Sequence, residues 1–246
     1  MMSLQGSAPN PIRVVTFNIK HGAPEDGYSG DVEAVAQACS TFEADILALQ
    51  EVDCGVRRSG KADIAREVAG ALGMRHYFAP TRRFSGGLYG NALLVNGSIE
   101  EVEVLPLHGG RRHSLPFGPY KRGLLPEARN AIIATAKIRE RRVAIAATHL
   151  AVEQDVNHQQ LERVLEKLRE REGPKILLGD LNQRYKKIAD AMKPKGLHVA
   201  GPRATSPAHT PNKQLDHIIT EELCVLGVEA VPACVSDHRA LTALVD

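Results

Sequence analysis

Three apolar runs in this chain end on polar side chains of one restricted kind, which limits both the fold and the chemistry. Ile176-Leu177-Leu178 leads into Gly179-Asp180-Leu181-Asn182, Ile46 to Leu49 leads into Gln50-Glu51, and a third run leads into Thr148-His149. A run that is apolar throughout predicts a strand covered on both faces, as in the interior of an α/β protein. Residues at i and i+2 of a strand point the same way, so Asp180 and Asn182 share one face at a strand mouth. Open α/β sheets hold their ligands at that place.

The remaining periodicity fits the same class. Ile12 to Asn18 is rich in β-branched and aromatic residues and reads as a strand. Further strands are expected over Asn91 to Val95, Val102 to Leu107, Ala131 to Ile138, Leu215 to Thr220, Cys224 to Val231 and Ala240 to Val245. Asp31 can cap a helix carrying Val32, Val35, Ala36, Cys39 and Phe42. Helices are also expected over Lys61 to Leu72, Asp155 to Arg171 and Tyr185 to Met192. The expectation is an α/β chain with mixed sheets. About ten strands in one domain would split into two packed sheets. Residues 1–10 read as a disordered tail and 11–246 as one catalytic domain, because no linker interrupts the strand signals.

With 43% hydrophobic residues among 246, a sizeable core is within reach. The net charge of +2, from 31 basic and 29 acidic residues, implies no global field for nucleic acid. The four cysteines show neither a Cys-x-x-Cys pair nor zinc spacing and read as small hydrophobes in a reducing compartment. The N-terminus lacks the pattern of a signal peptide, and no apolar stretch approaches the roughly 20 residues of a spanning helix. A cytoplasmic location is the expectation.

Polar residues at strand ends carry the chemistry: Asn18, Glu51, Asn91, His149, Asp180, Asn182, Asp216, Asp237 and His238. Each alone has an ordinary reading. Asp180 suits a turn, His149 a satisfied core histidine, and Asn91 a loop hydrogen bond. Together they supply metal-assisted phosphoester hydrolysis. Mg²⁺ takes one or two carboxylates and keeps several waters, which fits Glu51 and Asp237. A histidine oriented by a carboxylate can act as base, which fits His238 with Asp216. Asn182 and His149 can meet charge growing on phosphoryl oxygens. Arg58 and Arg129 can bind substrate phosphate, although charged loops are usually just solvated and Arg129 can instead brace a carboxylate. The same holds for Arg82-Arg83 and Arg111-Arg112, while the other histidines read as ordinary core or surface residues.

Taken in order, Thr16-Phe17-Asn18-Ile19, Leu49-Gln50-Glu51-Val52-Asp53, Tyr89-Gly90-Asn91-Ala92-Leu93-Leu94, Thr148-His149-Leu150, Gly179-Asp180-Leu181-Asn182, Gln214-Leu215-Asp216-His217-Ile218 and Ser236-Asp237-His238 resemble the endonuclease/exonuclease/phosphatase superfamily. The resemblance runs from Asn18 to His238. It implies a four-layer α/β sandwich with two packed mixed β-sheets flanked by helices, and a site at one edge of the sheets. It implies Mg²⁺ or Mn²⁺ on Glu51, with Asn18 and Asp237 beside the same cation. Asp180 would position or deprotonate the water, and Asn182 would hold a phosphate oxygen. His149 would contact the phosphate or assist the leaving group, and His238 with Asp216 would be base or transition-state donor. Lys20 stands where some members carry an aspartate, so their metal shell does not transfer unchanged.

The expected partner is a phosphate ester, with no protein partner evident. A nuclease acting on DNA or RNA is one alternative, although five Phe, five Tyr and no Trp give little for base stacking. A sphingomyelinase-like diesterase at a membrane surface is another, through Leu115, Phe117, Tyr120, Leu124 and Leu125. A non-catalytic binding module on the same fold is disfavoured because Glu51, Asp180, Asp237 and His238 are all present.

Overall fold

The computed structural model describes residues 10–108 and 128–246. Of the tail expected over residues 1–10, residues 1–9 lie outside them, and so do Arg111-Arg112 and the apolar residues 115–125 of the long loop.

Twelve strands form two six-stranded sheets among the described residues. The first holds β1 (Ile12–Asn18), β2 (Ile46–Cys54), β3 (Arg75–Phe84), β4 (Gly87–Val95), β11 (Val225–Val231) and β12 (Ala240–Val245), in the order β11-β12-β1-β2-β4-β3. The second holds β5 (Ser98–Leu107), β6 (Arg129–Ile138), β7 (Arg141–His149), β8 (Lys175–Asp180), β9 (His198–Val199) and β10 (Asp216–Glu221), in the order β5-β6-β7-β8-β10-β9. Each sheet has one parallel pair at its centre, β1 with β2 and β7 with β8, and the other pairings are antiparallel. Four helices accompany them: α1 (Val32–Ser40), α2 (Ile64–Leu72), α3 (Gln154–Arg169) and α4 (Tyr185–Met192).

Strand alternation builds the layers. On β1 and β2, Ile12, Val14, Ile46 and Ala48 face the second sheet and meet Ile132, Ile145, Ile176 and Leu178. The intervening Val15, Phe17, Leu47 and Leu49 turn outward onto α1 and α2 through Val35, Cys39, Ile64 and Val68. In the second sheet, Ile133, Ala146 and Leu177 turn outward onto α3 and α4 through Leu161, Val164, Leu165 and Ile188. The result is a four-layer α/β sandwich, and the two-faced burial explains why the central strands are apolar throughout.

Local chemistry sets the helix ends. The Asp31 carboxylate accepts from Ala34 N at 3.0 Å and that of Asp63 from Arg66 N at 3.2 Å, each satisfying a first-turn donor. The structure adds two strands that periodicity does not announce. β3 is an edge strand with most of its side chains exposed, interrupted by Pro80, so its apolar alternation is weak. β9 is two residues long.

Gly179 lies inside the β7–β8 pairing opposite Thr148, and a Cβ placed there would collide with the Thr148 carbonyl oxygen. Gly179→Ala is therefore expected to cost at least about 2 kcal/mol in urea unfolding, the range of an overpacked core site. Asp31→Ala, which loses only a cap, should cost about 1 kcal/mol. Equal or reversed losses would contradict this packing.

Candidate active site

The strands of both parallel pairs deliver the site at one edge. Asn18 ends β1 beside Gln50 on β2, while His149 ends β7 beside Asp180, which ends β8 and in turn faces Asp216 at the start of β10. Glu51 sits in a bulge of β2, where Leu49 pairs with Ala92 but Val52 pairs with Gly90. Its φ of 60° is the left-handed conformation that side-chain-bearing residues rarely adopt. After the bulge, buried Asp53 is held by Arg58 through Nε at 2.8 Å and a second guanidinium nitrogen at 3.0 Å, and by Ser59 Oγ at 3.0 Å. That clamp fixes the segment carrying Glu51.

One amide joins the two sheets. Asn18 Nδ2 donates to Glu51 Oε1 at 3.0 Å and to Asp180 Oδ2 at 3.1 Å. Its orientation is pinned from behind, because Lys20 N donates to Asn18 Oδ1 at 3.1 Å. Ser236 Oγ donates to the Asn18 carbonyl at 2.6 Å and accepts from His238 N at 3.1 Å, tying the C-terminal segment to β1. His238 Nδ1 donates to Asp216 Oδ2 at 2.8 Å, and its Nε2 lies 4.0 Å from Asp180 Oδ2. Asp180, Asp216 and His238 have ligating atoms within 4.8 Å of one another.

Burial separates these groups into floor and mouth. Asn18, His149, Asp180, Asp216 and His238 are buried, while Glu51, Asn182 and Asp237 are partly open to solvent. The Asp180 carboxyl is raised to about 7, first by burial and then by the neighbouring Asp216 charge. Burial opposes charge on His238, but the Asp216 carboxylate outweighs it through charge and hydrogen bond, raising the imidazole to about 10. His149 is lowered well below the ordinary histidine value by burial, then by Arg129 and His238. A neutral His149 agrees with its partner: Asn182 Nδ2, which can only donate, lies 3.1 Å from His149 Nε2 and 3.0 Å from the Leu150 carbonyl. Asn182 also has a left-handed φ of 53° and gives its backbone N–H to Asp180 Oδ1 at 2.9 Å.

The other expected residues fall around this centre. Asn91 uses Nδ2 to reach Asn130 Oδ1 at 2.9 Å, a stitch between the two sheets. Arg58 is turned onto Asp53, with its guanidinium 4.6 Å from the Phe84 ring centroid. Arg129 is buried at the start of β6 and acts on His149 through its charge. Asp237 stands at the mouth beside Ser236 Oγ, at 3.4 Å. Residue types alone do not reveal Asp53, Asn130 and Ser236 as supports, since an Asp five residues before an Arg or an Asn at a strand start is common.

The donor set fits a hard divalent cation. Asp180 is pushed toward its neutral form by burial and then by the Asp216 charge, and Asp216 Oδ1 is buried without a hydrogen-bond partner. Glu51 offers oxygen at the partly open side. Carboxylate oxygens in this arrangement suit Mg²⁺ or Mn²⁺ rather than a soft-metal thiolate site.

The protonation pattern predicts how metal-free protein responds to pH. Asp180 goes from 3.8 unfolded to about 7 folded, so its contribution falls as pH rises across that interval. His217, lowered to about 4 by burial, contributes in the opposite sense between 4 and 6.5. Above pH 7 His238 dominates among these groups: its stabilisation is complete below 6.5 and is lost as pH rises toward 10. In chelator the urea midpoint should fall between about pH 7 and 8.5, and His238→Asn should flatten that slope. An equal slope in the variant would contradict the assignment.

Comparison with known proteins places this geometry. A model described as Endonuclease/Exonuclease/phosphatase family matches residues 15–238. No curated protein gives a significant sequence match. Among solved structures, an endonuclease/exonuclease/phosphatase from Beutenbergia cavernae is similar at TM-score 0.73 and 18% identity, over 96% of this chain and 71% of that one. A mannosyl-6-phosphatase of Bacteroides thetaiotaomicron is similar at 0.71 and 17%, over 96% and 99%. The human Nocturnin catalytic domain with bound sulfate is similar at 0.68 and 22%, over 96% and 93%. The family match from β1 to the Asp216–His238 pair, with the four-layer sandwich, makes this chain a member of the endonuclease/exonuclease/phosphatase family.

Proposed function

We propose that this protein is a divalent-metal-dependent hydrolase that cleaves a phosphodiester or phosphomonoester by in-line attack of water. The observation that carries the reading is the Asn18 amide shared by Glu51 and Asp180, with the Asp216–His238 pair against the same carboxylate. Residues 11–246 act as one catalytic unit, because each sheet supplies part of that arrangement.

Glu51 and Asp237 would hold Mg²⁺ or Mn²⁺ at the mouth, with Asp180 adjoining. The bound cation supplies Lewis acidity for the phosphoryl oxygens. Asn18 serves this centre by orienting the two carboxylates through Nδ2, and its oxygen, which accepts one hydrogen bond from Lys20 N, keeps a second lone pair. The two shifted groups divide the proton chemistry. Asp180 Oδ2, held by the Asn18 amide and facing His238 Nε2 at 4.0 Å, is the group placed to accept a proton from the attacking water. An imidazole raised to about 10 carries its proton at the same pH, so His238 Nε2 donates to a phosphoryl oxygen. Neutral His149 and the Leu150 carbonyl hold the amide of the partly open Asn182, so a contact from Asn182 to the phosphate would take the place of one of these two hydrogen bonds.

We favour a small phosphoester over a nucleic-acid strand: among the described aromatic rings Phe84 and Tyr89 lie beneath Arg58 and Arg82, with guanidinium-to-centroid distances of 4.6 to 5.7 Å, which leaves the exposed Tyr28 and Tyr77 for base stacking. The phosphatase named among the similar structures is in keeping with this class.

Turnover of bis-p-nitrophenyl phosphate with Mn²⁺ should vanish in excess EDTA and return with added metal. Glu51→Gln and His238→Ala should each lower kcat by about a hundredfold or more while retaining the circular dichroism of the fold. Equal rates with and without chelator, or unaltered rates in both variants, would overturn the proposal.

A further inference from the structure

The loop between β9 and β10 contains one residue whose polar atoms engage the backbone at Asp216 and just after His238. Thr205 is fully buried. Its Oγ1 accepts from Leu215 N at 3.2 Å and, more weakly, from Asp216 N at 3.5 Å. Its carbonyl accepts from Arg239 N at 2.7 Å, immediately after His238. Its own N–H donates to the Lys213 carbonyl at 2.7 Å, so the residue is fixed on a third side. Leu215 in turn gives its carbonyl to Leu181 N at 2.9 Å, beside Asp180.

We infer that Thr205 is a positioning residue that sets the separation of Asp216 and His238 by holding the Leu215-Asp216 backbone through its hydroxyl and the backbone of Arg239, next to His238, through its carbonyl. The inference rests on the proposed role of that pair in phosphoester hydrolysis. The two segments come from different parts of the sheet system: Asp216 opens β10 of the second sheet, and His238 precedes β12 of the first. Without a shared anchor their side chains could drift apart by the small distances that matter for positioned catalysis. Thr205 supplies that anchor without touching either side chain. A hydroxyl is required because two backbone N–H groups point at it in a buried place, and valine would leave both without an acceptor.

The test compares Thr205→Val, which keeps the shape, with Thr205→Ser, which keeps the hydroxyl. Two readouts are used on the full chain. One is kcat and KM for bis-p-nitrophenyl phosphate with Mn²⁺. The other is the downfield proton resonance of the His238 Nδ1–H to Asp216 hydrogen bond in the metal-free protein. Thr205→Val should lower kcat by about tenfold to a hundredfold with KM within about twofold, and the downfield resonance should shift or disappear. Thr205→Ser should restore kcat to within about threefold and recover the resonance. The inference is overturned if Thr205→Val keeps both, or if Thr205→Ser loses as much as Thr205→Val. If Thr205→Val does not fold, Thr205→Cys, with a weaker acceptor in the same place, must show the same loss of resonance, and a normal resonance there overturns the inference. The resonance decides on Thr205 even if the wild-type protein fails to turn over any phosphoester, so the two failures are distinguishable.

Discussion

The structure depends on a concentration of negative charge that its own donors do not neutralise. Asp180 and Asp216 sit buried on paired strands, Glu51 leans in from the other sheet, and a single amide from Asn18 is shared between two of the three. His238 returns one positive charge through Asp216. Burial first, and the Asp216 charge second, raise the Asp180 carboxyl to about 7. Buried charge of this kind lowers stability unless a counter-charge is present. The cation proposed for this site would supply that counter-charge.

The scaffold spends conformational freedom at the same place. Glu51 and Asn182 both adopt left-handed backbone, one in a bulge and the other just past a strand end. Each is held by its neighbours: Glu51 by the Asp53–Arg58–Ser59 clamp that follows, and Asn182 by its N–H to Asp180 and its amide to Leu150. Such strain persists only where the surroundings over-determine it. Here the surroundings are the apolar layers on both faces of β2 and β8, which fix where each strand stops.

How much was legible in the sequence follows from this division. β2, β7 and β8 were legible because burial on both faces leaves a continuous apolar run, β1 because of its β-branched and aromatic residues, and their polar ends marked the site. The Asp31 cap and the stripe of α3 were equally plain. β3 was not, because an edge strand with a solvent face carries Arg, His and Pro where an inner strand carries Val and Ile. The site residues could be named, but not their orientation. That Asn18 turns its nitrogen toward the carboxylates depends on the backbone N–H of Lys20, and no side-chain pattern encodes it. Arg58 carries the chemistry of a phosphate ligand, yet it closes on Asp53 five residues before it. Thr205 is invisible for a simpler reason: a threonine in a turn-rich loop resembles every other.

The central claim is that a cation relieves the repulsion around Asp180. Titration calorimetry with Mn²⁺ at pH 6.5, in two buffers of different ionisation enthalpy, tests it most directly, because a cation that settles beside a half-protonated carboxyl must expel its proton. The account predicts saturable binding with net proton release, diminished in Asp180→Asn. Binding without proton release, or no binding at all, would contradict it.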